Sequence, residues 1–349
     1  MDKDITVIGM DLSDRKADLY ILDPGKQEGQ EERVAMTRQA VTNRFGGMKS
    51  SRVIMETGTH SPWLSRLLEG MGHDVVVAHA RRIRLIAESD RKTDRSDAEL
   101  LARLGMADMD LLQPIRHRSA QAQADLAILH ARAVLVRART LLVNHTRGTV
   151  KSMGYRLPAC STASFGSRAM GCLPDELRPA LQPLLGQIGQ LTTQIRALDK
   201  DLARVVQERY PQTRLLQQVP GVGPVTALAY TLVIGDPARF SKSRKVGAYL
   251  GLTARQSQSG DQDVRSRITK TGNSHLRWLL IQCAHYILGR FGPDCDLRRY
   301  GLAIQARGGG IAKKRARVAV ARKLAVLLCG IWRSGTVYES LRTEKPVTA

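Results

Sequence analysis

Four carboxylates occupy positions where a phosphate-cleaving metal site could be built. Asp11 and Glu56 end two short apolar runs, at 5–11 and 52–56, that read as buried strands. Asp94 and Asp97 lie in Arg91-Lys92-Thr93-Asp94-Arg95-Ser96-Asp97-Ala98, three positions apart and therefore on one face of a helix. A carboxylate at the end of a buried strand is costly unless something cationic gathers it. Four such groups can hold a pair of Mg²⁺ ions about 4 Å apart for phosphoryl transfer. Each acid alone also fits a helix cap, a turn or a surface charge, and Asp97 could cap the helix that follows. The argument for a site needs all four together.

A glycine after Asp11 would suit the phosphate-binding turn of sugar-kinase and actin-like ATPases, but Leu12-Ser13-Asp14 follows it, so that cradle lacks its backbone amides. Three further motifs lie downstream. Val219-Pro220-Gly221-Val222-Gly223-Pro224 resembles the turn of a helix-hairpin-helix, where Gly221 and Gly223 allow a tight bend and exposed amides can meet a phosphate without reading sequence; an ordinary Pro-Gly turn is the plain alternative. The stretch Gly251-Leu252-Thr253-Ala254-Arg255-Gln256-Ser257-Gln258-Ser259-Gly260 places a serine beside glycine in a basic loop that continues through Arg265, Arg267 and Lys270. Such a serine could approach a phosphate closely while the cations balance developing charge, although Ser-Gly pairs are chiefly loop punctuation. Lys313, Lys314, Arg315 and Arg317 precede an apolar helix over 318–332 and read as contacts to a nucleic-acid backbone.

Charge points to a polyanionic partner. The chain carries 54 Lys and Arg against 32 Asp and Glu, a formal +22 over 349 residues. Residues 1–110 hold 17 basic against 19 acidic groups and the remainder 37 against 13. An acidic unit suited to metal ions is followed by units suited to polyanions, a balance foreign to an ordinary metabolic enzyme. The five cysteines (Cys160, Cys172, Cys283, Cys295, Cys329) include no zinc-ligand spacing, and a reduced cytosolic setting is expected. No signal peptide or membrane span is read; the nearest candidate, 219–235, is punctuated by Pro220, Gly221, Gly223 and Pro224 and reads as a buried turn and helix.

The elements that must position these groups fall into three segments. Strands at 5–11, 17–22, 52–56 and 74–78 alternate with helices at 62–70 and from about 81, so residues 1–115 read as an α/β domain. Residues 116–212 read as a helical coiled-coil segment. Its seam is Leu181, Leu184, Ile188, Leu191, Ile195, Leu198, Leu202 and Val205, and a weaker one runs Leu126, Leu129, Ala133, Val136, Thr140, Val143. A hairpin within one chain and a contact between chains satisfy this pattern equally. Residues 213–349 read as a mainly α domain with the hairpin motif and the serine, ending in a frayed tail at 344–349.

In this order the motifs resemble the DEDD-type transposases of the IS110 and IS1111 insertion elements, described as bridge-RNA-guided recombinases. The likeness rests on Ile8-Gly9-Met10-Asp11, Met55-Glu56-Thr57-Gly58-Thr59, Lys92-Thr93-Asp94-Arg95-Ser96-Asp97-Ala98, Pro220-Gly221-Val222-Gly223, and Gly251-Leu252-Thr253 through Ser259-Gly260 to Lys270-Thr271-Gly272-Asn273. It implies a RuvC-like, ribonuclease-H-type first domain with Asp11, Glu56, Asp94 and Asp97 as the Mg²⁺-binding tetrad. It implies Ser259 as a nucleophile forming a covalent phosphoserine link to DNA, with Ser257 and Ser266 as nearby rivals. The partners it implies are double-stranded donor and target DNA, a structured non-coding guide RNA, and further copies of the chain in a tetramer built from dimers, in the bacterial cytoplasm at the nucleoid. Ala254 stands where many relatives have proline. A metal-only junction nuclease and a non-catalytic nucleic-acid-binding protein are the competing expectations.

The charge split has a measurable consequence. A fragment of residues 1–110 is expected to bind RNA weakly, and the remainder to bind with affinity falling steeply as salt rises, because each neutralised phosphate releases counterions. Tight, salt-insensitive binding by the first fragment in a filter-binding titration would contradict the assignment.

Overall fold

The computed structural model describes residues 5–79, 94–259 and 262–342; the side chains of Asp94, 256–259 and 262–266 lie outside that description. The helix expected from about 81 and the frayed tail also lie largely or wholly outside the described residues. Two compact units divide the chain, Met1–Gln121 and Ala122–Ala349.

The first unit is built on one sheet of β1 (Val7–Leu12), β2 (Lys16–Leu22), β3 (Gln30–Ala35), β4 (Arg52–Glu56) and β5 (Asp74–Ala78) in the order β3-β2-β1-β4-β5. Neighbours β1–β2 and β2–β3 are antiparallel, whereas β1–β4 and β4–β5 are parallel. Side chains alternate across the sheet. Ile8, Met10, Val53 and Met55 enter one core with Phe45 of α1 (Arg38–Phe45) and Leu64 and Leu68 of α2 (Ser61–Gly70). Val7, Ile54, Val76 and Ala78 enter the other, against Ala98, Leu101 and Ala102 of α3 (Asp94–Ala107), with Leu112 of α4 (Met109–Leu112). The strands expected at 52–56 and 74–78 match β4 and β5. β3 and α1 are additions: within Gln-Glu-Glu-Arg-Val-Ala only Val34 is buried, so an exposed edge strand leaves almost no apolar alternation to read.

The seat of α3 is unusually close. A Cβ on Gly9 would lie 1.9 Å from the Ala98 carbonyl oxygen and 2.6 Å from the Ala102 nitrogen, so the helix backbone rests directly on β1. Gly105 makes the reciprocal approach, with Ile54 Cδ1 1.7 Å from where its Cβ would be.

The second unit is mostly helical. Its two longest helices, α5 (Ala120–Ser152) and α7 (Arg178–Arg209), run antiparallel within the chain. Asp125 meets Arg209 at 2.5 Å, Arg132 meets Asp199 at 2.5 Å, and Arg139 donates to Thr192 at 3.2 Å, so the partners descend one helix as they climb the other. The seam residues Leu181, Ile188, Leu191, Ile195, Leu202 and Val205 are buried as the heptad requires, and Thr140 on the weaker seam is exposed. At the far end of this hairpin, α6 (Phe165–Met170) packs Phe165 and Ala169 against Leu181, Leu185 and Ile188. At the near end, Leu129, Leu202 and Val205 merge with the core of the C-terminal helices.

Those helices are α8 (Thr213–Leu216), α9 (Pro224–Ile234), α10 (Lys245–Tyr249), α11 (Ser274–Leu288), α12 (Asp296–Gln305) and α13 (Gly309–Ser334), with an antiparallel hairpin of β6 (Ala254–Ser259) and β7 (Gln262–Ile268) between α10 and α11. α9 is buried from Thr226 to Ile234, and Tyr230 Oη donates to the Ala325 carbonyl at 2.6 Å. The segment read as a basic loop around Ser259 is therefore two paired strands; polar residues on both faces hid the alternation. The basic run Lys313–Arg317, expected ahead of a helix, lies inside α13.

Because the Gly9 obstruction is backbone, it has no side chain to swing away. Gly9→Ala is expected to destabilise the first unit by about 1–3 kcal/mol through overpacking. Gly105→Ala should cost less, since the end of Ile54 can rotate. Thermal unfolding of both variants checks this, and an unchanged midpoint for Gly9→Ala would refute the close seat of α3.

Candidate functional site

Strand parity brings the acids of the first unit to one place. Asp11 shares the parity of Val7 and Gly9, and Glu56 that of Ile54, so both face the side of the sheet that α3 covers. In the parallel register Met10 stands beside Met55, and Asp11 and Glu56 are the next residues along their strands. α3 crosses β1 with Ala98 on Gly9, which sets Asp97 and the start of the helix at that same end. Asp11, Glu56 and the first turn of α3, carrying Asp94 and Asp97, thus gather where adjacent parallel strands end.

Local hydrogen bonds fix this end. Thr57 uses both its backbone N–H, at 3.0 Å, and its hydroxyl, at 2.6 Å, to donate to the Ala78 carbonyl, tying the end of β4 to β5 just past Glu56. The Gly58 N–H donates to Ser61 Oγ at 3.0 Å and turns the chain into α2. Arg95 in the first turn of α3 forms an ion pair with Glu31 of β3.

One acid of this region escaped the sequence reading. Asp18 pairs with Asp11 across β1 and β2 and is buried. Burial pushes its pKa up, but Arg33 at 2.8 Å and Lys16 at 3.1 Å outweigh that and hold it below the usual carboxylate value. Counting the hairpin register from Asp11 would have found it. Hard carboxylate oxygens from three elements suit a divalent cation such as Mg²⁺ in their chemistry. Among the described residues, no three His, Cys, Asp or Glu side chains already close around a common point.

The second unit presents a different arrangement. Gly251 and Gly272, at φ +66° and +72°, interlock at the base of the β6–β7 hairpin. A Cβ on Gly251 would sit 2.3 Å from the Thr271 nitrogen, and one on Gly272 would sit 2.1 Å from the Tyr249 oxygen. Arg277 Nη1 donates to the carbonyls of Leu250 and Thr271, and Asn273 Oδ1 accepts from the Leu276 N–H to start α11. The glycine motifs on either side of the serine segment are thus one clamp. Ser259 ends β6, paired with Gln262; its hydroxyl, like the side chains of Ser257, Ser266 and Arg265, lies outside the described residues.

A groove of about 1740 Å³ runs beside this hairpin. It unites Arg267 and Lys270 with Lys314 and Arg315 of α13, and adds Arg244, Arg322, Lys323 and Arg342, which the sequence reading did not single out. Eight cations against Asp296 and Glu339 make it a polyanion surface. Arg255, Lys313 and Arg317 are not among its lining residues, nor are Gly221 and Gly223, which are exposed at the turn into α9.

Comparison with known proteins gives this arrangement a class. Residues 8–154 match the DEDD transposase domain of the IS110 type, and residues 213–300 match the transposase IS116/IS110/IS902 family. The chain is 29% identical to the transposase for insertion sequence element IS1111A of Coxiella burnetii, over 97% of this chain and 92% of that protein. It is 29% identical to a probable family 20 transposase of Pseudomonas aeruginosa, over 95% of this chain and 98% of that one. A transposase for insertion sequence element IS1328 of Yersinia enterocolitica is 27% identical over 96% and 98% of the two chains. The chain belongs to the insertion-sequence transposases of the IS110 family. Among the described residues no helix is long and apolar enough to cross a membrane.

Since Gly272 meets backbone, alanine there is expected to loosen the hairpin and leave the long helices intact. Hydrogen exchange should quicken across β6 and β7 in Gly272→Ala. Equal protection in the two proteins would show that the glycine clamp does not hold the hairpin.

Proposed function

We propose that this transposase is an RNA-guided DNA recombinase in which Ser259 attacks DNA and Asp11, Glu56, Asp94 and Asp97 hold Mg²⁺. The observation that carries the reading is the gathering of Asp11, Glu56 and the first turn of α3 at one end of one sheet face, in the part of the chain that matches the DEDD transposase domain. The strand order β3-β2-β1-β4-β5 with parallel β1–β4–β5 supports a RuvC-like, ribonuclease-H-type fold.

In this scheme Ser259 Oγ forms a bond to phosphorus as the bond from phosphorus to a sugar oxygen breaks. The serine proton leaves to a base or to solvent, and the departing strand gains a hydroxyl. The phosphodiester is conserved as a phosphoserine ester, which a DNA hydroxyl attacks in turn to complete strand exchange. Asp11, Glu56, Asp94 and Asp97 would hold a pair of Mg²⁺ ions, which when bound would supply Lewis-acid stabilisation of the charge that develops on phosphate. Arg267, Lys270, Lys314 and Arg315 in the groove, with Arg255, Arg265, Lys313 and Arg317 and the amides at Gly221 and Gly223, neutralise and position the backbone. A structured guide RNA that pairs with donor and target DNA, a tetramer built from dimers, and a place at the bacterial nucleoid complete the proposal; these rest on the family likeness.

Ser259→Ala is expected to abolish the covalent protein–DNA adduct, while Ser257→Ala and Ser266→Ala keep it. Asp11→Asn should reduce cleavage at least a hundredfold and leave binding unchanged, because it removes a metal-binding charge outside the basic surface. Denaturing gels of cleavage reactions with end-labelled DNA and copurified RNA read both. Mg²⁺-dependent cleavage that persists in Ser259→Ala without an adduct would establish the metal-only nuclease instead, and binding without any cleavage would establish a non-catalytic protein.

A further inference from the structure

The aromatic residues of this chain are few and unevenly placed. Phe, Trp and Tyr make up 4% of the sequence, yet Trp278, Tyr286 and Phe291 are 51%, 47% and 71% exposed on or just beyond α11. His275, Trp278, Gln282 and Tyr286 recur at intervals of three and four and so share one face of that helix. His275 stacks on Trp278, with ring planes 22° apart and centroids at 6.4 Å. It also meets the ring of His130 of α5, with centroids at 5.7 Å.

Cations flank this face. Burial lowers the pKa of His275, and so do the neighbouring His130, Arg137 and Arg132 of α5; of these two arginines, Arg132 is paired with Asp199. Further along the helix Tyr286 lies against the phosphate-binding type of turn: a Cβ on Gly221 would be 2.9 Å from Tyr286 Cδ1. Trp278 and Tyr286 are eight residues apart, about 12 Å along the axis. Flat exposed rings between arginines and a turn of exposed amides fit a strand with its bases splayed out; a paired duplex has no free ring face to offer.

We propose that this face of α11 is a stacking surface for unpaired bases of single-stranded DNA, with Trp278 and Tyr286 holding bases and Arg137 and the Gly221 turn meeting phosphates. The proposal rests on the DNA-processing reading above, since strand cleavage and exchange expose unpaired DNA. A second copy of this chain is the poorer occupant, because its own arginines would add to the positive charge here.

The three tryptophans allow a direct test. In the Trp63→Phe/Trp332→Phe protein, emission comes from Trp278 alone. Single-stranded oligodeoxynucleotide is expected to quench it at least twofold at saturation, and a blunt duplex of the same sequence to bind without quenching. Trp278→Ala should weaken single-strand binding about five- to hundredfold, the range for loss of one base stack, with duplex binding unchanged. Trp278→Phe should restore most of the affinity, and Arg137→Gln should flatten its salt dependence without changing the quench. Circular dichroism confirms that each variant is folded. Equal single-strand affinity of wild type and Trp278→Ala overturns the proposal, as does quenching by RNA of that sequence but not by DNA, or a dimer in sedimentation that Trp278→Ala dissolves. Failure to bind any DNA would instead defeat the DNA-processing reading itself.

Discussion

Contact between the backbone of α3 and that of β1 at Gly9 is the constraint on which the first unit depends. No side chain fits between them, so the start of the helix must fall at the end of the strand that carries Asp11. Parallel pairing of β1 with β4 then brings Glu56 to the same end and the same face. Segments 45 and 86 residues from Asp11 in the sequence thereby reach the same end of the sheet, in an element order that no local preference would impose. The ion pairs of Asp18 with Arg33 and Lys16 offset the charge of the acid that faces Asp11 across the hairpin.

A similar economy of volume governs the second unit. Gly251 and Gly272 close the base of the β6–β7 hairpin on each other, so the strand that ends in Ser259 leaves the core from a fixed point. The same base forms one wall of the basic groove, with α13 opposite.

The long antiparallel helices use charge for register. A heptad seam alone tolerates sliding by seven residues. Asp125 is buried and accepts from both Arg209 and Tyr210, which pushes the tyrosine pKa up to about 12 through burial and that hydrogen bond. A slipped pairing would leave this carboxylate buried without partners, a cost of several kcal/mol by order of magnitude. Arg132 with Asp199 and Arg139 with Thr192 repeat the match further along.

Sequence by itself determined the local terms: β4 and β5, the seam of α7, the buried helix after Pro224, the transposase likeness, and the division of charge between the chain's two ends. Each depends on hydrophobic period, turn residues or composition, and these are written in contiguous segments. β3 and α1 were not legible, because an exposed polar strand and a short helix with two buried residues carry little periodicity. Asp18 was overlooked for a related reason: its significance comes from the residue across the strand. The serine segment read as a loop because its polar run, Arg255-Gln256-Ser257-Gln258-Ser259, shows no apolar alternation. Only the tertiary structure decided that α5 and α7 pair within the chain, that the acids share one face, and that Arg244, Arg322, Lys323 and Arg342 join the basic groove. Such facts depend on contacts between distant segments, and the packing that makes them favourable exists only once the chain has folded.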